Sequence, residues 1–296
     1  MRRVIFITAI ILINAGVSYG QEMAYGYYNY ILNPYNLNSA YVENDESITA
    51  TLNTKTYMAG FGNAPRNTMF GIAAPVSNEQ VLGARIISDR RGAYELSKYD
   101  LTYSYQLKID EMSNLRFGVS AGAVRRMLNP NSIDNVEHLN QADPTIASGY
   151  YDEVKFIAGI GMIYQFKKLN VGFSAPHLVL GNEEMSEFIV GSVDYEFHIG
   201  ETDFSLEPRL IYQNLPVLDN TLDILLRTNY REKVWVQLGY QTTENLNFAL
   251  GFDFGAFGLG YSYGMNNREL SDIASNSNEI MIQFSFLSPK NKKSDD

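Results

Sequence analysis

Three histidines, one serine–acid–histidine cluster and a scatter of charges are the residues with chemistry to offer. His138, His177 and His198 stand far apart in the chain. A metal centre needs several nitrogen, oxygen or sulfur ligands to converge, and with no cysteine in the chain both thiolate sites and disulfides are excluded. The histidines, two of them in expected surface links, read as ordinary polar groups, so no metal and no cofactor are expected. Ser132, Asp134 and His138, with Glu137 beside them, have the types a nucleophilic triad uses. A triad holds its members on rigid elements within hydrogen-bond reach. Here they crowd one polar stretch, 131–140, and the expectation is that the protein is not an enzyme.

The remaining candidates are Arg116, Glu207, Arg209, Asp223, Arg227 and Asp253, and their meaning depends on the elements that carry them. The chain opens with Met1-Arg2-Arg3, an apolar run from Val4 to about Ala15, and small residues ending at Gly20 before Gln21. That run is well short of the roughly 20 residues a spanning helix needs, and it reads as a signal peptide over 1–20. No later apolar stretch is long enough to cross as a helix. Without Arg2 and Arg3 the 23 basic residues become 21 against 33 acidic ones, a net charge near −12. Nucleic acid is therefore an improbable partner.

The dominant pattern has period two. Leu101, Tyr103, Tyr105 and Leu107 alternate with Thr102, Ser104, Gln106 and Lys108; Leu246, Phe248, Leu250, Phe252 and Phe254 alternate with Asn247, Ala249, Gly251, Asp253 and Gly255. Such runs recur near 47–58, 67–75, 81–88, 97–109, 114–127, 154–166, 169–175, 187–199, 202–213, 222–229, 234–241, 246–254, 257–265 and 279–287. They make about fourteen strands, most near the roughly 9–11 residues that a tilted spanning strand requires. Tight links (77–79, 110–112, 167–168, 200–201, 231–233, 255–256) alternate with longer ones (59–66, 89–96, 128–153, 176–186, 214–221, 266–278), with 242–245 the short exception. Short periplasmic turns and long outer loops are the habit of a membrane barrel. A soluble sandwich needs neither this alternation nor strands so uniformly aromatic on one face.

The expected fold is all-β: a transmembrane antiparallel up-and-down β-barrel over 46–287, in contact with outer-membrane lipid. Residues 21–45 form a tyrosine-rich periplasmic segment placed to plug the lower mouth, 288–296 a polar periplasmic tail, and an even strand number puts both termini in the periplasm. Strand parity then turns Arg116, Glu207, Arg209, Asp223, Arg227 and Asp253 into the lumen, where water or a counter-charge tolerates them. They make either a salt-bridged filling or a surface for an inserted partner. Tyr57, Tyr164, Tyr212 and Tyr240 fall near strand ends, suited to an interfacial girdle. The 26 residues 128–153 are long enough for recognition, with Tyr150 and Tyr151 as aromatic anchors.

Several local motifs resemble one family over nearly the whole chain: Tyr30-Ile31-Leu32-Asn33-Pro34 with Ser39-Ala40-Tyr41, Ala59-Gly60-Phe61 with Ala64-Pro65-Arg66, Ser174-Ala175-Pro176-His177-Leu178, Leu206-Glu207-Pro208-Arg209-Leu210, and Ser277-Asn278-Glu279-Ile280-Met281. They look like the PorP/SprF outer-membrane proteins of the Bacteroidetes type IX secretion and gliding machinery. One departure is Asn38-Ser39-Ala40-Tyr41, where the family reads closer to Asn-Pro-Ala-Tyr. The resemblance implies a non-catalytic component that partners the C-terminal domain of a secreted adhesin or ties periplasmic machinery to the outer membrane. Asn33, Pro34, Tyr35, Tyr41, Tyr150, Tyr151 and His177 are the expected partner contacts. The competing reading is a channel or transporter for hydrophobic or small polar solutes.

Overall fold

The computed structural model describes residues 32–41, 47–57, 64–128, 152–179, 188–214, 220–242, 245–266 and 276–287. Its strands are β1 (Ser47–Tyr57), β2 (Arg66–Pro75), β3 (Gln80–Arg91), β4 (Tyr94–Lys108), β5 (Ser113–Leu128), β6 (Asp152–Phe166), β7 (Leu169–Val179), β8 (Phe188–Tyr195), β9 (Phe197–His198), β10 (Phe204–Asn214), β11 (Thr221–Tyr230), β12 (Val234–Gln241), β13 (Asn245–Asp253), β14 (Phe257–Asn266) and β15 (Asn276–Leu287). Each pairs antiparallel with its sequence neighbour, and β1 pairs with β15 from Ser47↔Leu287 to Tyr57↔Ser277. The sheet is thereby closed. Among the described residues no helix is long and apolar enough to cross a membrane.

Short β8 and β9 are two parts of one strand, so the barrel has fourteen strands. The interruption has a cause in the facing strand. Pro208 of β10 has no N–H to offer the ladder; the register sets it against Tyr195, and the strand is interrupted at the next residue, Glu196, whose N–H bonds Lys168 O beside β7 at 3.1 Å. Pro176 acts similarly in β7, where the register shifts by one residue against both β6 and β8. A one-residue bulge reverses the alternation beyond it. His177 therefore turns inward and is fully buried, whereas the alternation alone ends the strand at 175 and assigns His177 to an outer link.

Alternation elsewhere separates two environments. On β4, Leu101 is 70% exposed while its neighbours Asp100 and Thr102 are buried on the inner face. Phe156, Leu238, Phe284 and Phe286 are further apolar residues on the outside. Among the described residues the buried apolar clusters are small, such as Leu96 with Val124 and Ile157. The interior is instead polar: Arg85 pairs with Asp100 at 3.0 Å, Lys98 with Asp100 at 3.5 Å, and Asn53 donates to Glu279 at 2.8 Å. Tyr164, Tyr212 and Tyr240 face outward, but Tyr57 shares the inner parity of Asn53 and Lys55, with the Lys55 ammonium 5.4 Å over its ring.

The links between β2 and β3, β4 and β5, β6 and β7, β9 and β10, β11 and β12, and β13 and β14 are tight and lie at one end. Lys167, Gly200, Arg231, Glu232 and Gly255 take positive φ there. In the β4–β5 turn, the Ser113 hydroxyl and the Met112 N–H hold the Asp110 carboxyl below its usual range. At the other end, the expected long link 89–96 is a two-residue hairpin. Gly92, at φ 60, makes the turn and Arg91 pairs with Tyr94. Most of the other long links lie outside the described residues.

Because Leu101 sits at mid-strand on the outer face, Leu101→Arg should cost about 2–4 kcal/mol of unfolding free energy in liposomes, whereas Val154→Arg, near a strand end, should cost about 0–1 kcal/mol. Denaturant titration of both variants checks the difference.

Candidate functional site

The lumen is crossed by residues 32–41. Asn33 caps a 3-10 turn at Pro34–Asn36, its side chain accepting from Tyr35 N at 3.2 Å, and a second 3-10 turn follows at Ser39–Tyr41. Proline at the first position suits such a turn, since its missing N–H would have no partner there. Asn38 does the same local work for the second turn, accepting from Ala40 N at 2.9 Å.

These turns are fastened to the wall around half the barrel. Tyr35 donates its hydroxyl to Thr102 at 2.7 Å, while Arg85 donates to Tyr35 O at 2.7 Å and stacks 4.1 Å from the Tyr35 ring. Asn38 Nδ2 donates to Met162 O and Phe173 O, and Ser174 donates to Leu37 O at 2.6 Å. Ser39 donates to Ser120, and the Tyr41 hydroxyl lies 3.4 Å from that of Ser192. At the opposite wall, Leu32 packs beside Gly260 of β14. Asn36, Asn38 and Ser39 are almost wholly buried.

The wall is shaped for this crossing by inward-facing glycines. A Cβ at Gly118 of β5 would overlap the backbone of Ser39 and Ala40, one at Gly161 of β6 would overlap Asn38 Oδ1, and one at Gly83 of β3 would stand 2.7 Å from the Tyr35 hydroxyl. Glycine inside a strand marks a place where another backbone approaches closely. Three of them at inner parity on β3, β5 and β6 were the available sequence signal for the crossing, and parity reading concentrated on charges passed over them.

Between the crossing segment and the short-turn end lies a chamber of about 550 Å³. Asn33, Pro34, Tyr35 and Tyr41 form its roof, and Arg116, Glu207, Arg209, Arg227 and Asp253 line its wall together with Lys168, Asp194, Glu196 and Trp235. Arg209 bonds Glu207 at 2.6 Å and lies 3.5 Å from Asp194; Lys168 bonds Glu196 at 2.5 Å. Asp223 is elsewhere, toward the other end, accepting from Gln213 at 2.9 Å. His177 is also outside the chamber, buried near Lys98 and Arg126. His198 is exposed in β9 and faces no other histidine there. Among the described residues no group of three His, Asp or Glu side chains is set to hold a metal ion. Ser132, Asp134, His138, Tyr150 and Tyr151 lie outside the described residues.

Residues 17–284 match the family model of the type IX secretion system membrane protein PorP/SprF. The chain belongs to that family. No curated protein matches it. Among solved structures, similar barrels include the CymD monoaromatic hydrocarbon channel (13% identity, TM-score 0.54, covering 90% of this chain and 94% of that one) and the Pseudomonas putida toluene transporter TodX (10%, 0.50, 85% and 92%). A third is the outer membrane protein Omp33 of Acinetobacter baumannii (7%, 0.50, 81% and 99%). At such identities the likeness is one of fold, that of the outer-membrane barrel. The PorP/SprF motifs gain local meaning from the geometry: Pro176 and Pro208 sit at the two ladder irregularities, and Ser39 supplies the hydroxyl that bonds Ser120.

Gly118→Val and Gly161→Val should expel residues 38–40 from the wall. Chymotrypsin should then cut after Tyr35, Leu37 or Tyr41 in reconstituted protein, while Gly191→Ala, which meets nothing within 4 Å, stays resistant. Asn38→Ala should lower the unfolding free energy by about 1–3 kcal/mol.

Proposed function

We propose that this PorP/SprF barrel is a non-catalytic docking and anchoring component of the type IX secretion system in the outer membrane. Its partner is the C-terminal domain of a secreted surface adhesin or a periplasmic part of the machine. The observation that carries this reading is the fastening of residues 32–41 across the lumen. Residues 32–41, hydrogen-bonded to strands from β3 to β8, stand in the path of a solute and give a docking protein a rigid roof, although a transporter of the same plan also carries an N-terminal hatch. Preorganised surfaces bind more tightly because less order must be imposed on binding.

Two contact regions follow. One is the chamber roof of Asn33, Pro34, Tyr35 and Tyr41 at the short-turn end, which faces the periplasm in the proposed orientation with both termini on that side. The other is the link 128–153 outside, with Tyr150 and Tyr151 as anchors. His177, buried in β7, supports the wall beside the crossing and acts on a partner only through it.

Two measurements test the proposal. Affinity capture of the tagged protein from its native membrane should recover a large secreted surface protein or periplasmic machine components. Reconstituted in planar bilayers, the barrel should pass no steady ohmic current. Capture of neither partner class together with an open pore would replace docking by solute transport.

A further inference from the structure

We infer that the chamber below the crossing segment is a binding site for a carboxylate group. The inference stands on the chamber's own donors and does not depend on the partner proposed above. Its four acids are engaged. Asp194 accepts from Asn170 at 2.7 Å and lies against Arg209, Glu207 takes Arg209, Glu196 takes Lys168, and Asp253 accepts from Gly255 N at 2.7 Å. Two of the cations are not matched in this way. Among the described residues Arg116 and Arg227 make no hydrogen bond, and the Nε of each is buried without an acceptor. Arg227 lies over Trp235, its guanidinium carbon 4.1 Å from the ring centroid.

Contact with the ring restrains the guanidinium at the chamber wall. A guanidinium edge donates two parallel N–H bonds, which matches the two oxygens of a carboxylate. Arg116 and Arg227 line the chamber with their guanidinium groups unbonded, and a carboxylate there forms charge-assisted bonds that a cation or a neutral donor cannot. The acids that share the lining limit how much negative charge is tolerated. Equal numbers of acidic and basic side chains suit a single negative charge better than a phosphate dianion. The volume of about 550 Å³ lies in the range of roughly 300–1,000 Å³ for ligand pockets. It admits a chain terminus or an acidic side chain with its neighbours.

Trp235 is the chain's single tryptophan, so its fluorescence reports directly on the contact with Arg227. The detergent-purified full chain is titrated with four probes: tetra-alanine with a free C-terminus, its C-terminal amide, an acetylated and amidated Ala-Glu-Ala, and inorganic phosphate. Isothermal calorimetry runs in parallel. Saturable binding of the free terminus identifies a chain end as the source of the carboxylate, and binding of the glutamyl peptide identifies a side chain. In both cases the amide and phosphate should bind far more weakly. Arg227→Gln and Arg116→Gln should each weaken the bound probe roughly tenfold to a hundredfold. Arg227→Lys, which keeps charge without the fork, should recover only part of the loss. Heat-dependent gel mobility verifies that each variant is folded. The inference is overturned if neither carboxylate probe binds the unmodified protein by either method, if the amide binds as well as the acid, or if folded Arg227→Gln binds unchanged.

Discussion

Hydrocarbon offers a peptide group no hydrogen bond, so a strand immersed in it must find both of its neighbours within the sheet. Every other feature of this protein follows from that demand. It is met at the seam by the continuous register of β1 against β15, where Asn53 and Lys55 on one strand also engage Glu279 on the other. Closure removes edges, fixes the strand count as even, and divides each strand between lipid outside and an enclosed lumen inside. The greasy face then has nothing to pack against but lipid, which is why Leu101 and Phe156 stand exposed while Arg85, Lys98 and Asp100 are buried.

Enclosure creates the second problem, an interior whose polar groups must be satisfied without bulk water. Here the N-terminal segment serves as filling. Its turns bring Tyr35, Asn38 and the carbonyl of Leu37 to donors and acceptors on β3 to β7, and the wall yields space with glycine where the segment comes nearest. Buried ion pairs such as Arg85–Asp100 are weak evidence of stability, because desolvation offsets much of their attraction. Their clearer effect is positional: Arg85 is held by Asp100 on one side and thereby presented to the carbonyl and ring of Tyr35 on the other. The segment thus divides the lumen into a packed region and the chamber with its arginines.

How much of this was legible in the residues varies with the kind of signal. Period-two alternation is strong, since lipid and lumen select opposite side chains, and it located fourteen strands and the inward parity of Arg116, Glu207, Arg209 and Arg227. Boundaries failed where backbone chemistry overrode the pattern. Gly92 allowed a tight hairpin among charged residues that read as a loop. Pro176 introduced a bulge that turned His177 inward, and Pro208 broke the facing strand at Glu196. The chamber was illegible for another reason. Parity tells that a charge faces the lumen but not at what height, so Asp223 could not be separated from the five residues that share one cavity. Hydrogen bonds between the crossing turns and the wall join residues from 50 positions apart, Tyr35 with Arg85, to 151, Tyr41 with Ser192, and no local periodicity records them.

Amide hydrogen exchange of the protein in lipid bilayers measures sheet closure most directly. With the seam paired as described, amides of β1 and β15 are protected to the same degree as those of β4 and β5. Exchange at β1 or β15 at the rate of an unpaired strand, with β4 and β5 still protected, would contradict a closed barrel and everything built inside it.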